Sequence, residues 1–264
     1  MGKILLSFDI EEFDMPYEYG KQIPFEQQLA ISVLGTQRIL ALLQKHNIKA
    51  TFYCTANFAI HQPEIIQQII TDGHELASHG YYHSSFKPEH LLQSKLKLEE
   101  ISGQAITGYR MARMAPFDET ELHKAGYIYN SSLNPTYLPG RYNNFDKPRT
   151  IFTQNGVLHL PASVSPWFRF PLFWLTFHHI PQVFIHFLCL WAIKKDGYLN
   201  TYFHPWEFTD LANPELGMPK YVIKNSGEKF VAIIDAFIVK MKAKNHAFMR
   251  SDEFLHSYKL KFDY

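Results

Sequence analysis

Cysteine is almost missing from this chain: there are two in 264 residues, Cys54 and Cys189. Two thiols cannot build a disulfide framework, and Cys54 lies in the apolar run A-T-F-Y-C-T, where a reduced, buried thiol is expected. Net charge is also nearly absent. Lys and Arg number 26 against 25 Asp and Glu, a formal +1. No electrostatic case for a nucleic-acid partner follows from that balance. Low-complexity tracts are absent, and no internal repeat of solenoid period is present. The opening M-G-K-I-L-L-S-F-D-I-E-E has too short an apolar run for a signal peptide, and acids follow it at once. The expected location is the cytoplasm.

What is present suits a large core: 46% of residues are hydrophobic, with 22 Phe and 15 Tyr. The patterning alternates. Short apolar runs at 3–9, 49–55, 74–79, 105–110, 127–132, 157–163, 198–204 and 246–249 read as strands. Helical patterns lie between many of them, at 26–46, 63–72, 88–102, 118–125 and 226–243. Pro63 and Gly73 punctuate the second of these helices at both ends. Strands apolar on both faces, alternating with helices, indicate a parallel sheet covered by helices. Seven or eight such units predict an α/β fold, a closed or nearly closed β/α barrel, formed by 1–264 as one catalytic domain.

Chemistry in such barrels sits at the C-terminal ends of the strands. The polar residues at those ends are Asp9, Glu11 and Glu12, then His79 and His83, then Arg110 and Arg113, then Asn130, and finally His204 and Glu207. The segment G-H-E-L-A-S-H-G-Y-Y-H is the most pointed. Two histidines four apart can converge on one divalent ion if the chain turns between them, and Gly80 permits the turn. A carboxylate from another strand would complete three protein ligands and leave a position for water, the layout of a catalytic metal site. The competing explanation is chance, in a chain with 14 His. His74, His178, His179 and His186 are read as structural.

The stretches S-F-D-I-E-E, G-H-E-L-A-S-H-G-Y-Y-H, G-Y-R and Y-F-H-P-W-E-F resemble, in order and rough spacing, the motifs of polysaccharide deacetylases, the NodB-homology or carbohydrate esterase 4 group. The G-Y-R and H-P-W-E forms look most like the subgroup of exopolysaccharide clusters. The resemblance implies a distorted (β/α)7-8 barrel. It implies a hydrolase that removes an N-acetyl or other N-acyl group from an amino sugar, using one divalent ion, zinc by default with cobalt or nickel as options. By the same resemblance Asp9 is the catalytic base, Arg110 the residue that orients it, and His204 the general acid. Glu11, His79 and His83 are the metal ligands, with no further cofactor-binding residue. A backbone N–H near Tyr137 or in the preceding loop is the expected oxyanion donor. Strand alternation favours Glu11 over Glu12 as the acidic ligand. Three departures stand out. Ile10 follows the base where the family usually has Asp. Met111-Ala112-Arg113 replaces the usual proline after Arg110, which leaves Arg113 as a rival. Asn130 stands where many relatives carry an aspartate. These departures support an alternative: an inactive relative that binds a carbohydrate or lipid-linked glycan. Amide hydrolysis on a non-sugar substrate is a third option.

Residues 166–193 contain one charged residue, Arg169, and are followed by Lys194 and Lys195. Pro171 and Pro181 cut the run, so neither piece reaches the ~20 residues that span a bilayer. Two readings compete: a buried helix plus lid, or a surface that touches a membrane or a lipid tail. The favoured mixture buries 182–193 and puts 167–177 at the mouth, as a lid or a peripheral membrane contact. The expected substrate is then a glycan or a lipid-linked amino sugar, met at the inner face of the membrane.

Overall fold

The computed structural model describes residues 1–262. Among the described residues there are eleven strands: β1 (Lys3–Ile10), β2 (Thr51–Cys54), β3 (Glu75–Ser78), β4 (Gly108–Tyr109), β5 (Tyr129–Asn130), β6 (Tyr137–Leu138), β7 (Tyr142–Asn143), β8 (Phe152–Gln154), β9 (Val157–His159), β10 (Tyr198–Phe203) and β11 (Ala247–Phe248). The main sheet curls in the order β10-β1-β2-β3-β4-β5-β9-β8, with β11 added beside the start of β1. Every pairing is parallel except the β8–β9 hairpin, while β6 and β7 form a separate hairpin. The barrel expectation therefore holds, with the curled sheet left open between its end strands, β8 and β10. Pro161, just past β9, has no N–H to offer a ladder there. Asn200 of β10 reaches across to the segment after β9 instead. Its carbonyl accepts from the Ser163 N–H at 2.8 Å, and its side-chain amide donates to the Pro161 carbonyl at 3.1 Å.

Parity along β1 sorts two cores. Ile4, Leu6, Phe8 and Ile10 face outward into the large core shared with the helices. Leu5 faces inward, into a small cluster with Tyr53, Ala77, Tyr129, Leu160 and Tyr198. Asp9 and Glu11 continue the inward row. Gly35 in the first long helix, Phe25–Lys45, also has a packing reason: a Cβ there would lie 1.9 Å from the Pro205 carbonyl oxygen. That glycine lets the helix seat directly against the loop that carries His204.

Among the elements not foreseen are two helices that shape the barrel. A short helix, Ala56–His61, follows β2 and is capped by the Thr55 hydroxyl. The helix Ser251–Phe262 places Phe254 and Leu255 against the inner cluster, so it plugs the N-terminal end of the barrel. The apolar stretch also differs from expectation. Within 167–177, Leu172, Phe173, Thr176 and Phe177 are buried, and only Trp167 and Phe168 stand far out. The helix Gln182–Asp196 is not simply buried either. Ile185, Leu188, Cys189 and Ala192 pack inward, while Val183, Phe184 and Phe187 are exposed. A contact surface drawn through 167–177 is thus too long at one end, and it omits the helix that carries most of the bare apolar area.

Beneath the plug, the Glu75 carboxyl accepts from the Thr51 hydroxyl at 2.7 Å, the Tyr129 hydroxyl at 2.7 Å and the Asp252 N–H at 3.1 Å. Burial, reinforced by Asp252, pushes this carboxyl up to about 7 from an ordinary 4.5. Between those values the folded chain holds a proton that the unfolded chain has released. This contribution to stability is therefore complete below pH ~4.5 and drains as pH rises through ~7. Chemical-denaturation midpoints from pH 5 to 8 should fall for the wild type and stay flatter for Glu75→Gln. Equal slopes for the two proteins would overturn the reading.

Candidate active site

The inward row of β1 ends where the parallel strands end, and the other singled-out residues arrive at the same rim. His79 follows β3, Arg110 follows β4 and His204 follows β10. Gly80, at φ +86°, makes the turn that returns His83 toward His79. The Glu11, His79 and His83 ligand atoms all lie within 4.8 Å of one another. Glu11 Oε2 is 3.1 Å from His79 Nε2 and 2.9 Å from His83 Nε2.

The hydrogen bonds on the far sides of the rings show what the cluster wants. His79 Nδ1 faces the Arg110 carbonyl at 2.9 Å, and a carbonyl only accepts, so Nδ1 carries the proton. Its Nε2 then offers a lone pair toward a carboxylate oxygen. Asp14 Oδ1 sits 2.7 Å from His83 Nδ1 and turns that ring the same way. Lone pairs converging on one point need a cation between them, and carboxylate–imidazole pairs behind ligand histidines are the usual support for a metal. The electrostatics agree. Burial would raise the Glu11 carboxyl, yet His83, His79 and His204 hold it well below the ordinary carboxylate range. Burial would lower the His83 imidazole, yet Glu11 and Asp14 hold it well above its ordinary value. Glu11 is thus held as a carboxylate, the form that can ligate an ion. A divalent ion fits this donor set.

Glu12 points elsewhere, as parity requires. It accepts from the Thr55 hydroxyl at 2.7 Å and the Asn57 amide at 2.5 Å. It anchors the short helix rather than the cluster.

Arg110, not Arg113, reaches Asp9. The fully buried Arg110 donates from Nη1 to Asp9 Oδ1 at 2.5 Å, binds the Ser131 carbonyl and hydroxyl, and lies 3.9 Å over the Tyr53 ring. Arg113 turns outward to Asp14 and Glu18. In the loop without the usual proline, Arg113 and Met114 both adopt left-handed backbone, at φ +57° and +48°. Such conformations are costly for side chains with a Cβ and persist where the surroundings impose them.

Sequence reasoning missed the support of His204. Glu207 Oε1 accepts from the His204 backbone N–H at 2.6 Å and faces its Nδ1 at 2.9 Å. Glu207 Oε2 lies 2.8 Å from His178 Nε2, and both side chains are fully buried. His178 Nδ1 in turn faces the Lys224 carbonyl at 2.5 Å, so it carries a proton there. His178, read as structural, is thus the far end of a relay to His204. Asn130 takes no part; it binds Glu119 and Ser132. The motif H-P-W-E held the signal. Proline at the first position of a short helix and Glu at the third form a capping box that returns Glu207 to His204. Burial opposes the His204 charge, but Glu207, Glu11 and Asp9 together raise its pKa. His204 Nε2 faces Asp9 Oδ2 across 4.0 Å.

These groups open into a cleft of about 300 Å³. Asp9, Glu11, His83 and His204 form its polar part, and Met15, Met114, Leu138, Phe173, Trp174 and Tyr202 much of its apolar wall. Leu138 and Pro139 of the β6–β7 hairpin line it; Tyr137 does not and is exposed.

A family model described as polysaccharide deacetylase matches residues 23–128. That stretch includes His79, His83 and Arg110 but not Asp9, Glu11 or His204. A chitooligosaccharide deacetylase of Bradyrhizobium sp. (strain ANU 289) is 29% identical over 80 residues, 30% of this chain and 33% of the relative. A peptidoglycan deacetylase of Helicobacter pylori is 31% identical over 113 residues, 38% of this chain and 37% of the relative. The chain spans about a third of the length of the curated relatives it matches. Among solved structures, a probable polysaccharide deacetylase from Pseudomonas aeruginosa PAO1 aligns with TM-score 0.71 at 15% identity, covering 99% of this chain and 92% of that one. The PuuE allantoinase aligns with TM-score 0.70 at 15% identity, covering 99% and 91%. These two share the fold.

Removing Glu207 would leave two buried imidazoles without their common partner. Breaking a buried pair from one side typically costs ~3–5 kcal/mol. Glu207→Ala should therefore lower the thermal midpoint by several degrees, while Asn130→Ala, outside the relay, should cost less. The reverse order in differential scanning calorimetry would remove Glu207 from its central place.

Proposed function

We propose that the chain, which resembles polysaccharide deacetylases over residues 23–128, hydrolyses the N-acetyl, or another N-acyl, group of an amino sugar in a glycan. One observation carries the reading: Asp9 and His204 face each other at 4.0 Å beside the Glu11–His79–His83 cluster, within one cleft. A base, an acid and a cation site are the parts that amide hydrolysis needs. Glu11, His79 and His83 would hold the divalent ion, zinc being the best match to two imidazoles and a carboxylate. Bound there, the ion supplies polarisation of the amide carbonyl and a more acidic water.

The chain's own residues divide the proton work. Arg110 occupies Asp9 Oδ1 and leaves Oδ2 free to accept a proton from the attacking water. His204, charged through Glu207, gives its Nε2 proton to the departing nitrogen as the C–N bond breaks. The products are a free amine and acetate. Glu207 fixes the His204 ring, and His178 fixes Glu207. The Glu207 contact supports the active reading over the inactive one, because His204 has a carboxylate partner although Asn130 is not one. The finer substrate we favour is a lipid-linked amino sugar. The apolar wall at Phe173 and Trp174 and the exposed Trp167 and Phe168 belong to one segment, which suits a glycan carried on a tail.

Acetate release from N-acetylated amino sugars, free and lipid-linked, with added zinc, cobalt or nickel, tests the activity. Asp9→Asn and His204→Ala should each lose ~10²–10⁴-fold in turnover, the usual worth of a general base or acid. Near-full release by both variants would end the mechanism.

Metal content gives an independent check. The purified chain should bind about one divalent ion, and His79→Ala or His83→Ala should lose it, since each removes one of three ligands. Glu11→Gln should weaken binding more than Glu12→Gln. Stoichiometric metal in the double histidine variant would overturn the ligand set.

A further inference from the structure

The cleft leaves unused the most exposed apolar side chains of the molecule. After Met1, the four most exposed large hydrophobics among the described residues are Val183 at 77%, Phe168 at 76%, Trp167 at 72% and Phe187 at 60%. They form one surface. The Trp167 ring meets Trp191 edge-on at 5.8 Å, and Trp191 packs beside Phe187 at 6.4 Å. Val183, Phe187 and Trp191 recur every four residues along the helix Gln182–Asp196, which puts them on one stripe. The opposite stripe is already buried against the barrel. A surface helix normally turns a polar face to water, but this one is apolar on both faces until Lys194.

Charge narrows the occupant. From Pro166 to Lys195 there is no Asp or Glu; the charged residues are Arg169, Lys194 and Lys195. The two lysines are exposed at the end of the helix. The first acid, Asp196, is already paired with Arg149. No described helix is long and apolar enough to cross a membrane. A protein partner of ordinary composition would require no such one-signed rim, whereas tryptophans and phenylalanines bordered by lysines match the boundary between acyl chains and anionic headgroups.

We propose that the face built from Trp167, Phe168, Val183, Phe187 and Trp191, with Lys194 and Lys195 at its edge, docks on an anionic lipid bilayer. The segment between its two halves carries Phe173, Trp174 and Leu175 into the cleft wall, so docking would hold the cleft beside the membrane. The proposal stands apart from the hydrolytic reading and is tested without turnover.

The test is co-sedimentation of the intact chain with vesicles of phosphatidylcholine alone and with vesicles carrying about a third phosphatidylglycerol, a strongly anionic surface. Binding is expected on the anionic vesicles, weakening as salt rises. Trp167→Ser with Phe187→Ser should reduce it at least ~10-fold, because both apolar anchors are lost. Lys194→Gln with Lys195→Gln should reduce it on anionic vesicles and flatten the salt dependence. Val183→Ser is the milder variant should the double change disturb folding, which circular dichroism melts report. Leu96→Ser, an exposed apolar site elsewhere, should leave binding unchanged. No preference for anionic vesicles, or binding indifferent to the Trp167 and Phe187 changes, would overturn the proposal. So would a concentration-dependent dimer in sedimentation velocity that those same changes abolish, since the occupant would then be a second copy of the chain.

Discussion

A single alternation along β1 governs the rest. Ile10 is wholly buried toward the helices, while Asp9 and Glu11 on either side of it are buried toward the barrel mouth. Two carboxylates held out of water are expensive unless each is matched by positive charge. Asp9 is matched by the Arg110 guanidinium and Glu11 by two imidazoles and whatever cation they enclose. Arg110 in turn needs Ser131 and Tyr53, and His83 needs Asp14. The cleft is therefore the outer layer of a compensation that begins one residue past a hydrophobic core. Slipping β1 by one residue would exchange the two environments entirely.

Much of this was legible because alternation is a property of sequence. D-I-E reads as in-out-in without a structure, and that reading separated Glu11 from Glu12. H-G-Y-Y-H, with its glycine, announced a turn that pairs two rings. The run of strands and helices announced the barrel. What stayed hidden depends on partners far apart in the chain. His178 meets Glu207 across 29 residues, and Asp14 meets His83 across 69. No local period encodes such meetings. The plug helix was missed for a similar reason: its apolar positions make sense only against Tyr198 and Leu5. The stretch 166–193 misled because composition reports how much apolar surface exists, not which side of a helix it falls on.

The departures from the usual family pattern look different once the charges are traced. Asn130 brings no carboxylate and binds Glu119 and Ser132, while His204 has one in Glu207, three residues on. The loop without proline reaches its shape by two left-handed residues rather than a fixed ring, and it delivers Arg113 to Asp14. Each loss is met by a local device made from neighbouring sequence. This is the behaviour expected of a site in which the charge balance is held while the residues supplying it change.

The pairing of β1 has a temporal side. Its partners on one edge are β10, whose register joins Phe8 to Phe203, and at its start β11 and the loop before the plug helix. These contacts join residues separated by nearly two hundred positions, so they close late and slowly. During synthesis β1 emerges early, and its β10 and β11 edge must wait, unpaired, until residues near 200–250 leave the ribosome. Until then the inward row has only β2 beside it, and the strand edge that carries Asp9 and Glu11 is open to wrong partners. A chain interrupted before β10 would retain His79, His83, Arg110 and most helices, yet lack His204 and the wall against which Asp9 and Glu11 are set.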